Sequence, residues 1–288
     1  MPQRLIWPPL NLDEQLSDWF LQFLNQMPKQ LFHQIIFLLL SEVLHKTKAV
    51  ILRTVKYGET SLIVAAYTEL YGLQSYIVQG VRKASKNGGG KANYFQPGAV
   101  LELIVYHHDL KNLQRIKEFK WSFLYEELFA DVMKNSVLLY MMELLQKCVK
   151  QPENNPDLFY FVEESLMQLD RADARVTANF PLYFSLHLTN FFGFQMNTED
   201  AINCTILDLQ EGNFVSAYPQ HVYYIEGQPA SLISELLKAM QPHELNEIPM
   251  NHLQRRELLE AMETYYMLHL PEFSKMKTLQ VLQQIMEP

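Results

Sequence analysis

Cysteine is nearly absent. The 288-residue chain has two, Cys148 and Cys204, far apart in the sequence. Two distant thiols make no disulfide framework, and their scarcity suits a reducing cytoplasm. Structural zinc needs Cys or His ligands in closely spaced pairs. Cys204 has no cysteine neighbour, and the nine histidines form no closely spaced pair beside it. His107 and His108 are adjacent, so on a strand they face opposite ways. No metal site is expected. Catalytic signatures are missing too: there is no G-x-S-x-G elbow, no H-E-x-x-H and no glycine-rich dinucleotide turn after a strand. No catalytic residue is assigned, and the chain is read as a non-enzyme without a cofactor. Long apolar runs are also lacking. "LFHQIIFLLL" at 31–40 is the most apolar stretch, and it falls short of the ~20 residues that a membrane span needs. It lies behind Asp13, Glu14 and Asp18, unlike a secretory signal. The expectation is a cytoplasmic protein with no membrane segment.

What is present is an ordinary globular composition, 48% hydrophobic and 19% charged, with an uneven distribution of charge. The formal net charge of −8 conceals two unlike regions. Residues 43–120 carry 12 Lys and Arg against 5 Asp and Glu, whereas residues 121–288 carry 10 against 23. Such segregation suits a basic domain for polyanions joined to an acidic one.

The pattern divides the chain at the same places. Residues 1–42 form an apolar-rich extension broken at Pro28, after which the text changes character. Valine is what a GUG start codon reads as internally, so Val43 is an expected true start. From Ala49 the period becomes two: "AVILRTVKYGE", "TSLIVAAYT", "LQSYIVQG", "AVLELIVYHH" and "LQRIKEFKW" read as five short antiparallel strands between turn residues. One long loop separates the third from the fourth. Five strands in so short a span predict a small closed barrel over 43–122, with the OB-fold as the leading candidate. After Trp121 the period turns helical. A helix is expected through "LYEELFADVMKNSVLLYMMELLQKCVK", then others through "LFYFVEESLMQLD" and "RVTANFPLYFSLHLTNFFGF". Pro181 should kink or start a helix there, and Gly193 should cap one. A non-helical insert at 195–230 holds a hairpin turning at Glu211-Gly212-Asn213. Three more helices close the chain. The expected class is α+β multidomain, with an acidic helical domain over 123–288.

"VRKASKNGGGKANYF" at 81–95 looks like a phosphate loop but fails as one. With Gly90-Lys91 as the GK pair, Ser85 replaces the first glycine and Ala92 replaces the Ser or Thr. What remains is a cationic, glycine-rich loop. Arg53, Lys56, Arg82, Lys83, Lys86, Lys91, Lys111 and Arg115 are spread over strand ends and loops, interleaved with aromatics. Tyr57, Tyr94 and Phe95 are the candidates to stack on bases. Cations along a backbone track with aromatic plates are what single-stranded nucleic acid needs. The loop lysines can reach successive phosphates without sequence readout. The rival reading is a protein-interaction adaptor whose barrel binds peptide, with an incidental basic face.

The stretch "LHKTKAVILRTVKYGETSLIVAAYTELYGLQSYIVQGVRK" resembles the opening of the RecO family of bacterial DNA-repair and recombination mediators. The matching features are a strand bearing Arg, a "YGE" turn, a "T…GL" turn and a "GVRK" exit into a basic loop. "QPGAVLELIVY", "FFGF", "LDLQEGNF" and "RRELLEAMETYYMLHL" follow in the family's order, so the likeness spans 43–288. It implies an N-terminal OB-fold, a helical C-terminal domain, binding of single- and double-stranded DNA, and strand annealing. It also implies work with single-stranded-DNA-binding protein (SSB) and, together with RecR, loading of RecA. Many members hold zinc through four cysteines in the insert. This chain keeps only Cys204 there, so the insert is expected to fold by packing alone, without zinc. SSB ends in an acidic tail, and Arg171, Arg175, Arg255 and Arg256 are the cations offered for it. Nucleoid association follows from the same likeness.

Overall fold

The computed structural model describes residues 43–82, 90–201 and 204–286. The expectations for residues 1–42 and for Lys83 and Lys86 lie outside them. Five strands, β1 (Val43–Tyr57), β2 (Ser61–Thr68), β3 (Gly72–Val78), β4 (Val100–His107) and β5 (Leu113–Trp121), close into a barrel ordered β1-β2-β3-β5-β4. This is the OB-fold. One part of the expectation is corrected: β3 pairs with β5 in parallel. An odd number of strands in a closed ring cannot alternate direction all the way round, so one junction must be parallel. β1 also begins six residues earlier than the sequence period indicates, because its first half pairs with β4 and its second half with β2.

A register shift between Ile51 and Arg53 bends β1 where it passes from one partner to the other. Bulges of this kind sharpen local twist and let a long strand serve two neighbours in a small barrel. Ala49 and Ile51 point into the barrel with Leu62, Val64, Ala66, Tyr76, Leu101 and Leu103. Val50 and Leu52 point out, into a second core shared with Tyr67, Val100 and the helices.

Six helices build the acidic domain: α1 (Val132–Cys148), α2 (Pro156–Arg171), α3 (Ala174–Leu188), α4 (Gln228–Lys238), α5 (His252–His269) and α6 (Lys277–Ile285). Their starts follow side-chain chemistry. Asp131 and Asn155 accept a backbone N–H at the first turns of α1 and α2, and Asp173 accepts two at α3. Asn251 and Gln254 form a reciprocal capping box at α5. Pro181 lies inside α3 and does not start it, and Gly193 adopts φ +77° just past a short 3-10 turn. The insert's hairpin is present as β6 (Ile206–Asp208) and β7 (Asn213–Val215), with Gly212 at φ +69° in the turn. A third strand, β8 (Tyr224–Glu226), pairs with the other side of β6.

The first helix is shorter than its periodicity implies. Residues 124–131 are not helical, because Asp170 claims their backbone: its carboxylate accepts the N–H groups of Glu126, Glu127 and Leu128 at 3.0, 2.9 and 2.8 Å. Lys134 donates to the Asp170 carbonyl at 2.7 Å and to Glu127 at 2.6 Å. Burial pushes the Asp170 pKa up, but the three N–H donors and Lys134 outweigh it and hold the carboxyl below the usual aspartate range.

Two glycines mark where barrel and helices meet. At Gly98 (φ +81°) a β-carbon would collide with Leu138 of α1, and at Gly72 (φ +59°) with the backbone of Glu153. Lys48 pairs with Glu163 at 2.9 Å, Tyr125 donates to the Gly98 carbonyl at 2.8 Å, and Tyr160 donates to Glu69 across the same junction.

Asp170→Asn is expected to cost about 2–4 kcal/mol at pH 7, since amide cannot replace a carboxylate taking three N–H donors. Because the native pKa is depressed, that stability is present above the ordinary aspartate pKa and lost as pH falls through the native one. Urea titrations of both proteins should therefore show a gap that closes in strong acid.

Candidate nucleic-acid interface

Strand alternation decides which side chains the barrel shows outward, and register aligns them in rows. Arg53 faces Ala65, which faces Ser75, which faces Leu113; one step along, Val55 faces Ile63, then Ile77, then Arg115. Tyr57 faces Ser61 at the end of the hairpin. The result is a low-relief sheet face of small and branched residues, with an arginine at each flank. Val55 and Tyr57 are 45% and 52% exposed. Arg53 and Arg115 are exposed too, the latter 5.7 Å from the Tyr106 ring centroid. In OB-folds this β2–β3 face, with its adjoining loops, is where oligonucleotides lie.

The basic loop is tied to this face at both ends. Arg82 donates to the Gly58 carbonyl at 2.9 Å, and its backbone N–H bonds to Thr60, so the loop leaves the barrel against the β1–β2 turn. At the other end Thr54 Oγ1 donates to the Phe95 carbonyl at 2.5 Å, and Gly98 N–H to Ile51 at 2.7 Å. Lys91 is exposed at the head of a 3-10 turn over Lys91–Phe95. Lys56, paired with Leu62, is exposed near the same turn. Arg53, Lys56, Tyr57, Arg82 and Lys91 therefore come from the part of the barrel where the described ends of the loop are anchored. Lys111 stands apart on the β4–β5 turn, two residues before the Leu113 that pairs with Ser75.

Two expectations change. Phe95 is 1% exposed and packs edge-on against Phe119 at 4.7 Å, inside the barrel core, so it is no stacking plate. A 3-10 turn rotates it inward as a plug for the barrel. Tyr94 is partly buried, stacked on Trp121 at 5.1 Å. Tyr57 alone of the three keeps an open face. Lys46 and Lys120 share a single carboxylate, pairing with Glu102 at 2.9 and 3.2 Å, and hold its carboxyl below the usual range. The row Val55–Ile63–Ile77 was missed from sequence. Its signal was there: branched apolar residues on the outward phase of strands whose inward phase is already apolar.

On the helical domain, Arg175 and Arg255 meet around the 242–248 turn. Arg175 donates to the Asn246 carbonyl at 3.1 Å, and Arg255 Nε to Asn179 Oδ1 at 2.8 Å. Asn179 is fully buried and donates to the Leu245 and Ile248 carbonyls. Burial and then the nearby Arg175 lower the Arg255 pKa. Arg256 pairs with Glu260 at 3.1 Å, beside a groove of about 630 Å³ between α5 and α6. Arg171 is exposed at the end of α2. Among the described residues no group of three or more His, Cys, Asp or Glu could hold a metal ion, and no helix is long and apolar enough to cross a membrane.

A cation-bordered OB barrel fused to an acidic helical body is the class of protein these features define. Comparison places it further. Residues 42–125 match the family described as Recombination protein O N terminal, and residues 130–279 match Recombination protein O C terminal. The chain is 34% identical over 243 residues to a DNA repair protein RecO of Phocaeicola vulgatus, covering 84% of this chain and 99% of that protein. It is 35% identical over 241 residues to that of Christiangramia forsetii, covering 83% and 98%. To that of Bacteroides fragilis it is 32% identical over 246 residues, covering 85% and 100%. The chain belongs to the RecO family of DNA repair proteins.

Core and plate roles separate by substitution. Phe95→Ala should destabilise the fold by about 3–5 kcal/mol in urea. Tyr57→Ala should leave the urea midpoint nearly unchanged and weaken oligonucleotide binding by about 1–3 kcal/mol.

Proposed function

We propose that this protein is a non-enzymatic recombination mediator that binds single- and double-stranded DNA on its barrel and promotes annealing. The observation that carries the reading is the open sheet face between Arg53 and Arg115, with the loop cations Arg82 and Lys91 held beside it. Annealing needs no reacting group. Two phosphate backbones repel, and a surface that neutralises both and holds them close lowers that barrier. A shallow face with few hydrogen-bonding side chains grips backbone and base planes without reading sequence, as a mediator acting on any broken DNA requires. Lys83 and Lys86 follow Arg82 in the sequence and are proposed to add phosphate contacts, and Lys111 lies beyond the far edge of the face.

The acidic domain keeps the helical body off the DNA and free for proteins. In this reading it meets SSB and RecR, and with RecR it delivers RecA to SSB-coated strands at the nucleoid. Arg175 and Arg255, with Arg171 and Arg256, are proposed to receive the acidic SSB tail, because a guanidinium pair suits carboxylates.

The test is binding of a fluorescent oligonucleotide across a salt series, with the intact chain and with Arg53, Lys56, Arg82 and Arg115 changed together to Ala. The intact chain should lose affinity steeply with salt, and the variant should show a slope shallower by about 0.7 for each lost single-strand contact. Equal slopes and affinities would instead favour the adaptor reading, with a peptide on the Val55–Ile63–Ile77 row.

A further inference from the structure

The insert carries a knot of tyrosines and carboxylates on the outward side of its small sheet. Leu207, Phe214 and Ile225 turn the inner side of the β7-β6-β8 sheet into the helical core. The segment between β7 and β8 lies over the outer side: His221 Nε2 reaches Asp208 at 3.2 Å, and Tyr218 donates to Glu226 at 2.7 Å. Tyr218 also meets Tyr224 edge-to-face at 5.8 Å, and His221 and Tyr223 lie 6.1 Å apart. These polar ties hold the rings in place while leaving them open. Tyr218 is 65% exposed, Val222 82% and Tyr223 42%. Tyr224 and Glu226 share one face of β8, an edge strand of the sheet.

Charge identifies the occupant. Residues 195–230 contain five Asp and Glu and no Lys or Arg. A polyanion is repelled there. Aromatic faces next to carboxylates attract a guanidinium or ammonium, through the ring quadrupole and a charge-assisted hydrogen bond together. Held rings also spare a ligand the entropy of ordering them. We infer that this tyrosine–carboxylate knuckle, centred on Tyr218, Tyr223, Tyr224 and Glu226, is a docking site for an arginine- or lysine-bearing segment of a partner protein. The inference stands independently of DNA binding by the barrel.

The experiment uses the full chain and a fluorescein-labelled peptide of alternating Arg and Gly, with a control peptide in which citrulline replaces every Arg. The arginine peptide should bind and the citrulline peptide should not. Tyr218→Leu with Tyr223→Leu keeps bulk but removes the π faces, and should weaken binding at least fivefold. Glu226→Gln should do the same. Val222→Ser, at a largely exposed position, provides a variant that folds without repacking and should weaken binding about twofold. Oligonucleotide affinity should be unchanged throughout. Undiminished peptide binding by the Tyr→Leu pair would mean general attraction to the acidic domain and would overturn the proposal. So would a loss of oligonucleotide affinity in these variants, which would put nucleic acid at the knuckle. Dimerisation of the intact chain that the Tyr→Leu pair abolishes, with no peptide binding, would also overturn it, in favour of a second copy.

Discussion

Strand β1 belongs to two hydrophobic cores at once, and the rest of the structure depends on that constraint. Its alternate residues Ala49 and Ile51 fill the barrel, while Val50 and Leu52 are buried with the helices. Neither core can form without fixing the strand, so barrel and helical body are locked in one orientation. Gly72 and Gly98 show how closely they approach, since neither position has room for a β-carbon. A buried strand of this kind ties local propensity to tertiary packing, and apolar surface buried at the seam stabilises by about 25 cal/mol per Å².

The same constraint locates the candidate interface. The Val50–Leu52 stretch is covered by helices, and only beyond the bulge, from Arg53 onward, does the outward phase of β1 return to solvent. The helices thus cover one side of the barrel and leave the β1-β2-β3-β5 face open. Charge follows this division. Lys48 is engaged with Glu163 at the seam, and Lys46 and Lys120 with Glu102. Arg53 and Arg115 border the uncovered face, with Arg82 anchored to the adjoining turn. Basic and acidic surfaces are in this way kept on separate parts of the molecule.

Much of this architecture was legible in the sequence because it rests on local period and turn chemistry. The five strands, the hairpin at Gly212 and the helices ending at Arg171, His269 and Ile285 are patterns of two and of 3.6 with suitable caps. What could not be read depends on partners distant in sequence. The parallel β3–β5 junction follows from closure. The missing turns of α1 follow from Asp170, some forty residues downstream, which outbids a helical pattern for three N–H groups. The cationic candidates were legible as a set from the charge imbalance of residues 43–120, but not their sorting. Phe95 looked like a loop aromatic because a 3-10 turn that folds it inward leaves no periodicity. Lys46 and Lys120, equally basic in the sequence, are both drawn to one glutamate. Insert and knuckle were visible only as a hairpin, because β8 is three residues long and its pairing with β6 is set by packing.

Amide hydrogen exchange of the intact chain, with and without a single-stranded oligonucleotide, tests the central claim most directly. The account predicts slowed exchange concentrated in residues 53–65, 75–82, 90–95 and 113–115, with α4, α5 and the β6–β8 sheet unaffected. Protection confined to the helical domain, with the barrel face exchanging as freely as before, would contradict it.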